Sequence, residues 1–183
     1  MDSLSGKLLV ASPRLADPHF NRAVVLVLEH GDQGALGLVL NRPGRRQLAD
    51  IWDEDDHGPC PVERTVAIGG PLDGPLMAIH ADPDLAEREV VPGVYFAMRS
   101  DLLAALLAAS AAPLHVFTGY AGWGSGQLEN ELQAGAWGVA DATAEFVFGD
   151  GDTLWRRATT HVSDTTLVET LRIRHVPGKP WYN

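Results

Sequence analysis

The chain has a single cysteine, Cys60, so it cannot close an internal disulfide or assemble a zinc site from several thiolates. Its flanking prolines and nearby acids do not make Cys60 a reactive thiolate. No stretch approaches the run of about 18 apolar residues that a bilayer-spanning helix needs. Basic residues are scarce: 14 Lys and Arg stand against 24 Asp and Glu, a formal net charge of −10. A duplex-binding protein gains much of its affinity by setting Lys and Arg against phosphates. This chain has few to place, and its long-range field repels a polyanion, so the charge balance argues against direct DNA binding. The seven histidines show no HxxxH or HExxH spacing, and the acidic run DEDDH (53–57) lacks the glycine and terminal glutamate of a calcium loop. No metal and no cofactor is expected. The opening MDSLSGKLLVASPRL has too short an apolar core for a signal peptide and reads as a first strand. With one cysteine and no membrane segment, the expected location is cytoplasmic.

At 183 residues the chain is expected to form one domain. LLVA (8–11), AVVLVLEH (23–30), ALGLVLN (35–41), TVAIGG (65–70), LMAIH (76–80), GVYFAM (93–98), LHVFTG (114–119), AWGVAD and EFVFG read as strands, with ADPDLAERE (81–89) as a polar loop. The second and third pair as a hairpin over HGDQG, and Gly37 inside the third marks a bulge or a close backbone approach. SDLLAALLAAS, QLENELQAG and DGDTLWRRA read as helices. Strands and helices that do not alternate strictly point to an α/β (α+β) domain. Its mixed sheet is expected to curl towards a pseudo-barrel with a few helices packed outside. The charge is unevenly spread: residues 1–155 carry 9 basic and 22 acidic side chains, and residues 156–183 carry 5 and 2. Independently of charge, the last 25 residues alternate polar and apolar and read as an added strand or arm, giving a core domain over 1–157 and a C-terminal extension over 158–183 packed on it.

Within the stretch FTGYAGWGSGQLENEL (117–132), residues 119–127 concentrate four glycines, two aromatic residues and an amide. A dinucleotide fingerprint requires glycines at i, i+2 and i+5, and Gln127 or Glu129 stands at the third place. A P-loop requires a lysine where Ser125 stands, and a nucleophile elbow requires a glycine at Trp123. Glu129 and Glu131 in the opening turns of the helix would repel a phosphate, and Gln127 can reach back to the N–H of Gly124. A structural turn is the first reading, a pocket wall for an uncharged or cationic ligand the second. His30 follows a buried strand, and Asn41-Arg42-Pro43 ends the next, which suggests a polar pair at one end of the hairpin. GGP at 69–71 is a tight turn that lets a backbone or ligand approach. No Ser-His-Asp set stands out, so no catalytic residue is assigned.

The segments GKLLVASPRLADPHFNRAVVLVLEH, GALGLVLNRP, IGGPL and FTGYAGWGSGQLENEL with Trp137, in order from Gly6 to Trp155, resemble the AlgH/YqgE family of bacterial proteins. The resemblance implies a small cytoplasmic α/β protein with a mixed, pseudo-barrel sheet. The family is labelled a transcriptional regulator, yet its pattern matches no DNA-binding fold and implies no defined reaction. Ser125 stands where related sequences often have proline. The leading expectation is a non-enzymatic binding or regulatory domain with a protein or small-molecule partner. Its candidate groove comprises Asn41, Arg42, Gly69, Gly70, Tyr120, Trp123, Gln127 and Glu129, with flat contacts from the aromatics and orienting polar atoms from the amides. The alternative is an enzyme acting on a small metabolite near the glycine-rich loop, with His30 or Glu129 as proton carrier.

Overall fold

The structure is a computed structural model that describes residues 3–52, 60, 62–109 and 113–171, with side chains through residue 163. The acidic run 53–57 and residues 172–183 of the expected extension lie outside the described residues.

The chain forms a single α+β domain, and its strands divide between two five-stranded sheets. The first contains β1 (Lys7–Ala11), β2 (Val24–Gly31), β3 (Gly34–Val39), β9 (Ala121–Gly124) and β10 (Trp137–Asp141), in the order β10-β1-β2-β3-β9. Every pairing in it is antiparallel. The second contains β4 (Ala67–Ile68), β5 (Met77–His80), β6 (Arg88–Val91), β7 (Val94–Ala97) and β8 (Leu114–Thr118), in the order β4-β8-β5-β7-β6. Only β4 and β8 run parallel there. The expected mixed curled sheet is therefore two open sheets, neither closed into a barrel.

Alternation along the strands explains why the sheets stack. Leu8 and Val10 of β1, Val24 and Leu26 of β2 and Leu38 of β3 face Met77, Ile79, Val94, Phe96 and Phe117 of the second sheet. The intervening residues Leu9, Ala11, Val25, Val27 and Val39 face the other way, where they pack with Trp123, Leu128 and Trp137. Strand β2 is thus apolar on both sides because both sides are covered. The outer face of the second sheet, with Ala78, Ala97 and Val116, is covered by Leu103, Leu106 and Leu107 of helix α1 (Ser100–Ala109) and by Leu48 and Trp52. Helix α2 (Gln127–Gln133) covers the outer face of the first sheet, so the layers run helix, sheet, sheet, helix. A short helix α3 (Ala144–Val147) and the long α4 (Gly151–Leu171) follow, with Val147, Leu154 and Ala158 set into the core between the sheets.

Four local expectations change. ADPDLAERE contains a turn of 3-10 helix (Pro83–Leu85) and the start of edge strand β6. EFVFG forms most of α3, because the Thr143 side chain accepts the N–H of Phe146 and caps a helical turn. The glycine-rich stretch is itself a strand between two bends: Gly119 and Gly126 have φ of 71° and 72°, and Ala121–Gly124 pairs with β3. TLVETL, read as the start of a strand or arm, is helical through Leu171, and α4 crosses residue 158 without a break.

Gly37 occupies the position expected of it. The register of β2 shifts between Val27 and Glu29 opposite it, and a methyl group there would lie 2.8 Å from the carbonyl oxygen of Leu26. His80 is the buried polar side chain of the core; its Nδ1 accepts the N–H of Asp82, and burial holds its pKa below the ordinary histidine value, against the pull of Asp82.

The GGP turn joins the two sheets. The carbonyl of Gly69 accepts from Val39 in β3, and its N–H donates to Thr118 in β8. A methyl group at Gly70 would lie 2.1 Å from the carbonyl carbon of Tyr120. Gly70→Ala is therefore expected to cost about 3 kcal/mol in urea unfolding, because neither backbone can yield. Gly31→Ala, whose methyl would meet nothing within 4 Å, is expected to stay within about 0.5 kcal/mol of the parent.

Candidate functional site

The polar groups of the glycine–tryptophan stretch converge on one carboxylate. Glu131 Oε2 accepts from Trp123 Nε1 at 3.0 Å and from Trp137 Nε1 at 2.8 Å, while Oε1 accepts from Gln127 Nε2 at 2.9 Å. Gln127 Oε1 accepts the N–H of Gly124 at 3.1 Å, the bond expected from the sequence, although the helix N-cap is Gly126. Phe20 stacks on Trp123 and meets Trp137 edge-on, with ring centroids 6.1 and 5.4 Å apart. Trp123 is 5% exposed and offers no ring face to a ligand. Ser125 Oγ donates to the carbonyl of Asp32 at 2.7 Å and so ties this corner to the β2–β3 turn.

His30 and Glu129 meet, with Nε2 and Oε1 3.0 Å apart. His30 Nδ1 accepts the N–H of Leu4 at 3.1 Å, which leaves the proton on Nε2 to be donated to Glu129. The imidazole is 5% exposed, and both of its nitrogens are bonded within the fold. It borders a cavity of about 300 Å3 with Ser5, Glu29 and Arg88. The Glu129 carboxyl is held below the ordinary glutamate pKa, first by its own backbone N–H and then by the hydrogen bond from His30, against some desolvation.

Asn41 is at the far end of the hairpin from His30, which corrects the expectation of a polar pair. His30 is opposite Ala35 beside the turn, whereas the Asn41 side chain accepts from Val24 N–H at 2.9 Å and donates to the carbonyl of Arg22 at 2.8 Å. The Arg42 guanidinium donates to the carbonyl of Asn21, and the Arg42 carbonyl accepts from Ile68. The eight groove residues accordingly fall into three places. Asn41 and Arg42 sit at one end of the first sheet. Gly69, Gly70 and the half-buried Tyr120 form the junction between the sheets, with Tyr120 and Leu72 exchanging backbone hydrogen bonds. Trp123, Gln127 and Glu129 sit at the other end, each with its polar groups hydrogen-bonded to neighbouring residues.

At the Asn41 end the chain opens a cavity of about 510 Å3 lined by Arg22, Asn41, Arg42, Gly151, Asp152, Trp155 and Arg156. Arg22 has φ of 54°, the described non-glycine residue with a left-handed backbone. That conformation persists because Asn41 holds its carbonyl and its guanidinium lies 5.6 Å from the centroid of Trp155. Trp155 Nε1 donates to the carbonyl of Ala11 at 2.8 Å, which anchors the indole. Arg88, Arg99 and Arg157 each pair with a carboxylate; among the described residues none of the three pocket arginines does. Nothing in the local sequence singles out Arg22, Trp155 or Arg156. The usable signal is global: 3 of the chain's 14 basic residues meet in one cavity. Among the described residues no group of three or more His, Cys, Asp or Glu is placed to hold a metal ion, and no helix is long and apolar enough to cross a membrane.

These features define a small layered α+β domain with an internally bonded tryptophan corner and an arginine-lined pocket at the opposite end of its first sheet. The AlgH-like family model matches residues 8–166, and the chain belongs to that family. It is 38% identical over 172 residues to a UPF0301 protein of Myxococcus xanthus, covering 91% of each chain. With a UPF0301 protein of Streptomyces coelicolor it shares 43% identity over 151 residues, 78% of this chain and 77% of that one. The solution structure of the AlgH protein from Pseudomonas aeruginosa superposes with a TM-score of 0.73 at 28% identity, covering 97% of each chain. The crystal structure of protein DIP2367 from Corynebacterium diphtheriae shares the fold, with a TM-score of 0.71 at 22% identity over 88% of this chain and 87% of that one.

Two substitutions test the tryptophan corner. Glu131→Gln replaces a charged acceptor shared by two indoles and is expected to cost about 1–3 kcal/mol in urea unfolding, with a change in tryptophan emission. Glu129 has a depressed pKa in the folded state, so its stabilisation is present above the unfolded carboxyl range and disappears as pH falls through the folded value. Glu129→Gln is therefore expected to flatten the acid limb of the stability–pH curve, measured by urea unfolding from about pH 6 down to about pH 3.

Proposed function

We propose that the chain is a non-enzymatic binding domain, and that its recognition site is the Arg22–Asn41–Arg42–Trp155–Arg156 pocket, which takes an anionic small molecule. The observation that carries this reading is that three arginines without carboxylate partners among the described residues line one cavity of about 510 Å3, in a chain of net charge −10. Arginine presents a rigid fork of donors suited to carboxylate or phosphate, and its weak hydration makes it the cation most readily desolvated against an anion. In an otherwise acidic surface such a cavity concentrates positive potential where a small anion can enter and a duplex is repelled. A regulatory role would follow from occupancy of this pocket and not from contact with DNA.

The competing reading is an enzyme that moves a proton through His30 and Glu129. Their 3.0 Å contact favours it. It requires an imidazole nitrogen open to substrate, and both nitrogens of His30 are already committed within the fold.

Thermal unfolding in low-salt buffer tests the binding reading. Inorganic pyrophosphate is expected to raise the Tm with concentration, since a ligand that binds only the folded form stabilises it. Arg156 is exposed, so Arg156→Glu is expected to leave the unliganded Tm within a few degrees of the parent and to abolish the shift. A parent protein whose Tm does not respond to millimolar pyrophosphate would exclude the proposal.

A further inference from the structure

The composition of the pocket wall narrows the ligand class. We infer, resting on the binding reading above, that the pocket takes a nucleotide: a phosphate on Arg42 and Arg156, a sugar hydroxyl on Asp152 and a base against the Arg22–Trp155 shelf.

Three features require more than a bare anion. The first is size. A cavity of about 510 Å3 falls within the range of roughly 300–1,000 Å3 typical of sites for organic ligands, far larger than one phosphate fills. The second is Asp152, a carboxylate on a wall whose other charged residues are Arg22, Arg42 and Arg156. It repels a phosphate, so its presence suits a ligand that also brings hydrogen-bond donors, as a ribose diol does. Asp152 is not occupied as a partner of the pocket arginines, because no ion pair joins it to any of them. The third is the flat shelf. The Arg22 guanidinium lies over the Trp155 indole, and the indole is held at its edge by the bond from Nε1 to the Ala11 carbonyl. A planar guanidinium backed by an aromatic ring is a surface on which a base can stack.

The arrangement is built and not incidental. Arg22 adopts a left-handed backbone that an arginine rarely takes, and Asn41 holds it there through the Arg22 carbonyl while also bonding Val24 N–H. Asn41 is thus a positioning residue for Arg22. The start of helix α4 does not supply the phosphate site, since the N–H of Asp152 already donates to Asp150 Oδ1 at 3.1 Å. Charge recognition falls to the side chains of Arg42 and Arg156, and Arg22 belongs to the shelf. Stacking on this shelf is tolerant of base identity, because every base presents a π face.

Titration calorimetry of the whole chain with AMP, ribose phosphate, inorganic phosphate and adenosine tests the inference. AMP is expected to bind about tenfold tighter than ribose phosphate, the increment of one stacked base. Ribose phosphate is in turn expected to bind tighter than phosphate, and adenosine more weakly than AMP. The exposed Asp152→Asn variant gives a signature that a generic anion site would not: it should weaken AMP and ribose phosphate several-fold while strengthening inorganic phosphate. If AMP binds no tighter than inorganic phosphate, or Asp152→Asn strengthens all three anions alike, the nucleotide assignment falls and the anion site stands. If adenosine binds as tightly as AMP, the arginines contribute nothing and the assignment falls. If none of the anions binds, the binding reading falls with it.

Discussion

The fold depends on burying β2 from both sides. Val24 through Val27 have no exposed surface, and alternate residues of this strand face the second sheet and helix α2. A strand that is apolar on both faces needs two covers, and each cover has its own means of attachment. The second sheet is joined through the GGP turn, where one residue, Gly69, bonds to β3 and to β8. Helix α2 is joined through Glu131, whose carboxylate collects the indole N–H groups of Trp123 and Trp137 from the two edge strands of the first sheet. The right-handed twist of a sheet can bring such edge residues over one face; their rings lie 6.0 Å apart here, with Phe20 packed against both.

That arrangement explains the division of labour between the two ends of the first sheet. At the tryptophan end, glycines let backbones approach and polar side chains satisfy one another: Gln127 with Gly124, Glu129 with His30, Ser125 with Asp32. The His30 imidazole and the two indoles are buried, and leaving their N–H groups without partners would cost free energy, so the acceptors Glu129 and Glu131 offset the closing of the helix over the sheet. At the other end, Asn41 satisfies two backbone groups but leaves the arginine side chains around it without carboxylates among the described residues. Cations gathered without partners are costly unless water or a ligand takes their charge. This end is therefore the one proposed for recognition.

Legibility followed the range of the interactions. The hairpin, the helices at 100–109 and 127–133, the bulge opposite Gly37 and the Gln127–Gly124 bond are set by periodicity, capping and local sterics, all visible within a few residues. EFVFG reads as a strand from its composition because an apolar run of three residues fits a strand as well as a buried helical turn, and the Thr143 cap decided for the turn. Strand β6 was hidden because it is a short edge strand of charged and β-branched residues. Ala121–Gly124 was hidden because glycine has low strand propensity, and only pairing with β3 makes it a strand. Of the candidate site, Asn41 and Arg42 were legible as polar residues at a strand end; their companions came from residue 22 and from the first turns of α4.

By itself, the amino-acid sequence determined the family, the α+β class, the apolar faces to be buried and the scarcity of positive charge. Each of these rests on composition or on neighbours along the chain. Only the tertiary structure decided that the strands form two stacked sheets, that Glu131 serves two tryptophans and that His30 meets Glu129. It alone set three arginines distant in sequence around one cavity. Those facts depend on contacts between residues far apart along the chain, as for His30 and Glu129, 99 positions apart, and no local propensity records which distant side chains will meet when two apolar faces close.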